Sequence, residues 1–133
     1  MAFEEHFRDR ICVVTGAASG IGLAVSGLLL KSGALVFMAD RDAKTLASEM
    51  ERLGALSKNA RSAEVDVTVQ PQVQRLIEDA VARHGRLDFL FNNAGIGCTR
   101  PVEEAMLEHW RRILDVNLWG VIYGIHAAVP IMR

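Results

Sequence analysis

The sequence predicts an α/β fold, a doubly wound parallel sheet with helices on both faces. Three observations predict it. Short apolar runs alternate with amphipathic segments four times along the 133 residues. The connections are short, with no linker, internal repeat or low-complexity stretch between them. The runs Ile11-Cys12-Val13-Val14 and Ala34-Leu35-Val36-Phe37-Met38-Ala39 also lack the alternation of half-exposed strands, as strands covered on both faces do. Parallel strands joined by right-handed helical crossovers satisfy all three. A chain of this length is one domain, 1–133, and buries roughly two-thirds of its unfolded surface.

The first strand is placed at residues 10–15 and the first helix at 20–32, with Ile21, Ala24, Val25, Leu28 and Leu29 as its apolar residues and Gly33 as a left-handed cap. The second strand ends at Asp40. Asp42 caps the next helix, in which Leu46, Met50 and Leu53 recur at helical spacing and which Gly54 ends. A weaker third strand spans about residues 61–66, with Thr68 as the cap of the helix that follows. Pro71 falls in its first turn, where a missing N–H does little harm. Val73, Leu76, Ile77, Ala80 and Val81 form its stripe, and Gly85 closes it. The fourth strand occupies residues 87–92 and runs into Asn93-Ala94-Gly95. The last helix begins between Val102 and Leu107 and continues towards Arg133. Leu107, Trp110, Leu114, Asn117, Val121 and Ile125 mark one face, and Val116, Trp119, Ile122 and Val129 make the other apolar too. Such a helix is covered on more than one side. One cover is the sheet, and the other is a helix of this or a second chain.

Composition excludes several classes. Half the residues are hydrophobic and 23% are charged, a balance of folded and not disordered chains. A formal net charge of −1 gives no footprint for nucleic acid or an anionic membrane. The segment from Val116 to Met132 carries Asn117, His126 and Pro130 and reads as a buried helix, not a membrane span. The first ten residues lack the apolar core of a signal peptide. Cys12 and Cys98 match no metal or redox spacing and predict two free thiols in a reducing cytoplasm. His6, His84, His109 and His126 show no ligand spacing, and Trp110 and Trp119 read as packing residues.

The chemistry is concentrated in Thr15-Gly16-Ala17-Ala18-Ser19-Gly20-Ile21-Gly22, which joins the first strand to the first helix. A helix start presents unpaired N–H groups and partial positive charge, and glycines let a pyrophosphate approach the backbone without meeting a Cβ. Strand before and helix after raise this turn above an ordinary glycine loop. Asp40, at the end of the second strand, stands where a carboxylate accepts hydrogen bonds from an adenosine ribose. A 2′-phosphate there meets like charge, a repulsion of roughly 4 kcal/mol per unit charge pair at about 4 Å and an effective dielectric near 20. The preference is therefore for NAD over NADP. Arg41 works against it, because its guanidinium can turn towards a phosphate.

Thr15 to Gly22, Asp66-Val67, Asn92-Asn93-Ala94-Gly95 and Asn117 together resemble the short-chain dehydrogenase/reductase family, as do the runs from Phe89 to Ile96 and from Trp110 to Gly120. The resemblance covers the chain from about Phe7 to Arg133. It implies a Rossmann-like sheet in the order 3-2-1-4, with the glycine turn beside the ligand crevice. It also implies that Gly16, Ser19, Gly20, Ile21 and Gly22 surround the adenosine and pyrophosphate, that Asp40 takes the ribose, and that Asp66 and Val67 meet the adenine. Asn93, Ala94 and Gly95 would line the cofactor, with Asn93 also tying strands together. Asn117 would hold a water that relays protons to a catalytic lysine; the alternative is a structural asparagine satisfied by nearby backbone.

One departure is Met106, where the family often caps the last helix with Ser or Thr. A larger one concerns catalysis. The family's tyrosine, the lysine four residues after it and the serine that orients substrate are all unmatched. The single tyrosine is Tyr123, with Ala127 four residues on, and the last lysine and serine are Lys58 and Ser62. The expectation is therefore a cofactor-binding half, ending before a fifth strand, which is inactive by itself and carries an exposed apolar edge at Phe89, Leu90 and Phe91. The parent reaction would be hydride transfer between NAD and a small alcohol or carbonyl compound, in a homo-oligomer joined through the long last helix. A non-catalytic dinucleotide-binding or subunit-interaction protein is the alternative. A nucleoside-dependent methyltransferase fits Asn92 to Gly95 less well.

Overall fold

A computed structural model describes residues 2–133. Four parallel strands form one sheet, β1 (Ile11–Thr15), β2 (Leu35–Asp40), β3 (Ala60–Glu64) and β4 (Phe89–Phe91), in the order β3-β2-β1-β4. Six helices accompany them: α1 (Phe3–Phe7), α2 (Gly20–Lys31), α3 (Ala43–Leu53), α4 (Gln70–His84), α5 (Leu107–Leu114) and α6 (Gly120–Met132). This is the Rossmann-like arrangement expected, and its order reverses between β1 and β4, where open sheets of this kind form a crevice.

Alternation along β1 divides the core in two. Ile11 and Val13 point to one face, where they meet Leu76, Ile77 and Ala80 of α4 and Ala127 and Ala128 of α6. Cys12 and Val14 point to the other, against Leu29 and Leu30 of α2 and Leu46 of α3. β2 is buried on both faces through Val36, Phe37, Met38 and Ala39, as its unbroken apolar run predicts. Each fully buried leucine or isoleucine in these layers contributes about 1.5–3 kcal/mol. The α4 stripe lies inward as expected, and Gly33 and Gly85 take the left-handed conformation after α2 and α4.

Four local expectations are corrected. The buried face of α2 is Gly22, Ser26, Leu29 and Leu30, while Ile21 and Leu28 are exposed, because small residues let the helix start close to the glycine turn. Thr68 does not cap α4; its hydroxyl and N–H both donate to Asp66, and Val69 takes the cap position. α3 ends at Gly54 as expected, and a 3₁₀ segment, Gly54–Asn59, follows before β3. β4 has only three ladder residues, since the Asp88 carboxylate, not a backbone carbonyl, accepts the Ile11 N–H at 2.8 Å. The fourth concerns the last helical run, which begins after a short 3₁₀ segment, Val102–Glu104, and contains a π-helical turn, Asp115–Trp119, between α5 and α6.

That run buries its small residues and not its large ones. Val116, Gly120, Gly124, Ala127 and Ala128 face the core, and Leu107, Trp110, Leu114, Leu118, Trp119, Ile122 and Ile125 are exposed. A Cβ at Gly120 would come within 2.9 Å of Val67, and one at Gly124 would overlap the Asn92 side chain, so α6 seats backbone-close on the sheet's edge. Trp110 and Trp119, expected in the packing, are about half exposed at 48% and 47%. The whole run, Leu107–Met132, is long and apolar enough by length and composition to cross a membrane. Burial is confined to one of its faces, short of the all-round cover its composition predicts. β4 likewise keeps one unpaired edge, with its three residues half-buried.

Candidate functional site

At the carboxyl ends of β1, β2 and β4 the chain forms a cleft of about 370 Å³. Its walls include Gly16, Ser19, Gly20 and Ile21 from the glycine turn, Asp40 and Arg41 from the end of β2, and Asp66 and Val67 after β3. Asn93, Ala94 and Gly95 close it from β4, with Val65, Ile96 and Val116 completing the lining. Ten of the residues expected at the site from the sequence therefore share one concavity with Arg41, and Gly22 and Asn117 stand behind it.

The glycine turn is held by close packing. Gly16 has φ +66°, and a Cβ on it would lie 2.9 Å from the Ala94 Cα. Gly22 lies beneath the turn, where a Cβ would collide with the Gly16 carbonyl. Helix α2 can thus begin at the cleft, where Gly20 and Ile21, its first residues, are part of the lining.

Thr15 links this turn to β4. It is 4% exposed, and its hydroxyl oxygen accepts from both the Asn93 and the Ala94 N–H at 3.1 Å while donating to the Phe91 carbonyl. The Asn93 amide returns the connection by donating to the Thr15 and Gly16 carbonyls at 3.0 and 3.3 Å. These bonds cross between the two strand ends that flank the crevice and set its width. Sequence reasoning anticipated the tie through Asn93 but gave Thr15 no role. Its signal was a hydroxyl at the last position of a strand buried on both faces, which needs internal partners.

The acidic side of the cleft is equally well held. The Asp40 carboxylate accepts from the Ala18 N–H at 3.0 Å with one oxygen and from the Asp42 N–H at 2.9 Å with the other. Each oxygen keeps lone-pair capacity for a further donor. Asp66 accepts from the Thr68 hydroxyl and N–H on a single oxygen, at 2.7 and 2.9 Å. The Thr68 hydroxyl, more than its backbone bond or the nearby Arg41, holds the Asp66 carboxyl below the usual aspartate range despite partial burial. The Asp66 N–H in turn donates to the Gln72 side chain at 2.7 Å.

Asn117 lies in the π-helical turn, and its side chain is paired with one backbone residue. Its oxygen accepts from the Ile96 N–H and its amide donates to the Ile96 carbonyl, both at 2.8 Å. This is the backbone-satisfied arrangement, and it pins the loop after β4 to the last helical run. π-turns of this kind recur at functional positions.

Fold and site together define a doubly wound α/β unit whose glycine turn and strand-end carboxylates line one crevice at a topological switch point. Residues 10–133 match the family model described as short chain dehydrogenase. A cyclohexanol dehydrogenase of an Acinetobacter strain is 34% identical over 125 residues, covering 93% of this chain and 50% of that protein. A short-chain dehydrogenase/reductase of the glucose/ribitol dehydrogenase type from Brucella melitensis superposes with a TM-score of 0.92 at 32% identity, over 100% of this chain and 55% of the other. Another, from Burkholderia phymatum and solved in complex with NAD, gives 0.90 at 34% identity, over 98% and 46%. The chain belongs to the short-chain dehydrogenase/reductase family. It spans about half the length of the curated relatives it matches.

Proposed function

We propose that these residues are the cofactor-binding half of an oxidoreductase that uses a nicotinamide dinucleotide, with NAD preferred to NADP. The observation that carries the reading is the glycine turn and the Asp40 carboxylate lining one cleft, with that carboxylate fixed by the Ala18 and Asp42 N–H groups. The residues fit such a group: a Cβ at Gly16 would fill the cradle against Ala94, and the opening of α2 supplies backbone donors for a diphosphate. In this reading Gly16, Ser19, Gly20, Ile21 and Gly22 form the diphosphate and adenosine cradle. Asp40 accepts from the ribose hydroxyls, and Asp66 and the Val67 backbone meet the adenine. Asn93, Ala94 and Gly95 form the wall towards the reacting end. Arg41 lines the same cleft and is the residue that would favour a 2′-phosphate.

When bound, the nicotinamide supplies hydride transfer to or from the carbinol carbon of a small alcohol or carbonyl compound. The chain's own residues orient that group, exclude water beneath it and, through Asn117, fix the β4 loop beside it. Asn117 as holder of a proton-relaying water belongs to this reading too. Its side chain is engaged with Ile96, so any such water would sit on its remaining amide or backbone capacity. The 133 residues hold no Tyr-x-x-x-Lys pair to protonate the product oxygen. Turnover therefore requires groups outside them. A homo-oligomer joined through the exposed apolar face of α5 and α6, and a reducing cytoplasm for Cys12 and Cys98, complete the proposal.

Titration of the purified protein with NADH and NADPH, followed by nicotinamide fluorescence, tests it. NADH should bind more tightly. Stronger NADPH binding would overturn the role of Asp40, and no affinity for either at millimolar concentration would overturn the whole reading. A non-catalytic dinucleotide-binding protein predicts the same binding with no turnover of any alcohol or carbonyl compound.

A further inference from the structure

Beside the dinucleotide cleft lie two further cavities, of about 190 and 380 Å³, which share Cys98 and His109. Arg100 and Trp110 line the first, Arg112 lines the second, and Ile96 belongs both to the second and to the dinucleotide cleft. No carboxylate lines either cavity. Among the described residues, neither Arg100 nor Arg112 has an ion-pair partner, and neither guanidinium has a hydrogen bond within the chain. His109 adds a third donor. Its Nδ1 accepts from the Met106 N–H at 3.0 Å, which assigns the proton of the neutral ring to Nε2. Three cationic or donor groups thus line adjoining concavities that share Cys98 and His109, and the second shares Ile96 with the cleft.

We propose that Arg100 and Arg112, with His109, bind an anionic group, a carboxylate or phosphate, carried by the substrate. The proposal rests on the oxidoreductase reading and names the substrate class: hydroxy or oxo compounds bearing a negative charge, as opposed to neutral alcohols. Guanidinium groups suit this task because their fixed forks match carboxylate and phosphate oxygens, and charge-assisted bonds are about twice as strong as neutral ones. Trp110 gives the first cavity an apolar wall and an optical reporter.

The test uses Trp110 fluorescence in the Trp119→Phe protein, titrated with levulinate, its neutral methyl ester, an oxo-alkyl phosphate and inorganic phosphate. Levulinate should bind about tenfold or more tightly than the methyl ester, and the oxo-alkyl phosphate likewise. Added chloride should erase the difference, because exposed charge pairs are screened. Joint replacement of Arg100→Ala and Arg112→Ala should equalise acid and ester, while Cys98→Ser leaves the preference intact. Equal affinity of acid and ester, or binding of inorganic phosphate with no preference between the organic ligands, would overturn the proposal. The salt titration on the protein with both arginines gives the same answer should the double variant fold poorly. Parallel NADH titration separates the two readings: failure to bind NADH with the acid preference retained sinks the cofactor assignment alone, and the reverse sinks the anion site alone.

Discussion

Asp40 offers the sharpest test of the proposed preference for NAD. In Asp40→Ala the Ala18 N–H loses its acceptor, and Ala18 is 3% exposed, so water does not readily replace it. An unsatisfied buried donor costs about 1–3 kcal/mol, which sets the expected loss in urea unfolding. The Asp42 N–H is exposed and finds water at little cost. Binding responds differently. NADH loses charge-assisted ribose bonds, while NADPH is relieved of a repulsion of roughly 4 kcal/mol per unit charge pair at about 4 Å, before solvent screening. The two changes act in opposite directions. With half the repulsion screened, about 2 kcal/mol remains, and on that term alone the NADPH-to-NADH affinity ratio should rise about 30-fold. Asp40→Asn keeps one oxygen for the Ala18 N–H and removes only the charge, so it should hold most of the stability and still shift the ratio. Fluorescence titration of both cofactors reads this out. A ratio unchanged in Asp40→Asn, with NADH still bound, would refute the assignment of specificity to this carboxylate.

Three further outcomes are expected. Thr15→Val strips the acceptor from the Ala94 N–H and one of two acceptors from the Asn93 N–H, which keeps the Phe91 carbonyl, and should cost about 1–3 kcal/mol in chemical denaturation, with weakened NADH binding; a loss under about 0.5 kcal/mol would mean the strand ends are held elsewhere. The folded-state pKa of Asp66 lies below its ordinary value of about 3.9, so its contribution to stability is complete above that pH and is lost as pH falls through the lowered value. Thr68→Val, by removing the hydroxyl that contributes most to the shift, should move the carboxyl resonance midpoint upward and flatten stability against pH below about 4. Burial, with help from Asp88 and against Arg10, pushes the Cys12 thiol up to about 12, so thiol reagents at neutral pH should modify exposed Cys98 and reach Cys12 only on unfolding. Equal rates for the two thiols in the native protein would contradict the packing of β1.

Much of the architecture is local chemistry and is legible along the chain. Unbroken apolar runs at β1 and β2, the glycine turn before α2, Asp42 at the start of α3 and the spacing of Val73, Leu76, Ile77 and Ala80 each act within a few residues. Asp42 caps α3 through the Thr45 N–H at 3.0 Å because an aspartate at a helix start has that donor within reach whatever the tertiary surroundings. The gathering of Gly16, Asp40, Asp66 and Asn93 at one edge also follows, once strands are parallel, because each ends a strand or follows one.

Only the tertiary structure decided which face of the last helical run lies inward. By hydrophobicity Leu107, Trp110 and Ile125 outrank Gly120 and Gly124, yet close approach to Val67 and Asn92 leaves room for glycine alone and turns the large side chains out. It also decided what Asn117 holds, since its partner Ile96 is 21 residues away in the chain, and it made Thr15 the knot between β1 and β4. Sequence by itself determined the elements and the chemistry at their ends, because turns, caps and periodicity are set by neighbours. Packing determined facing, partners and the width of the cleft, because these depend on shapes brought together from distant parts of the chain.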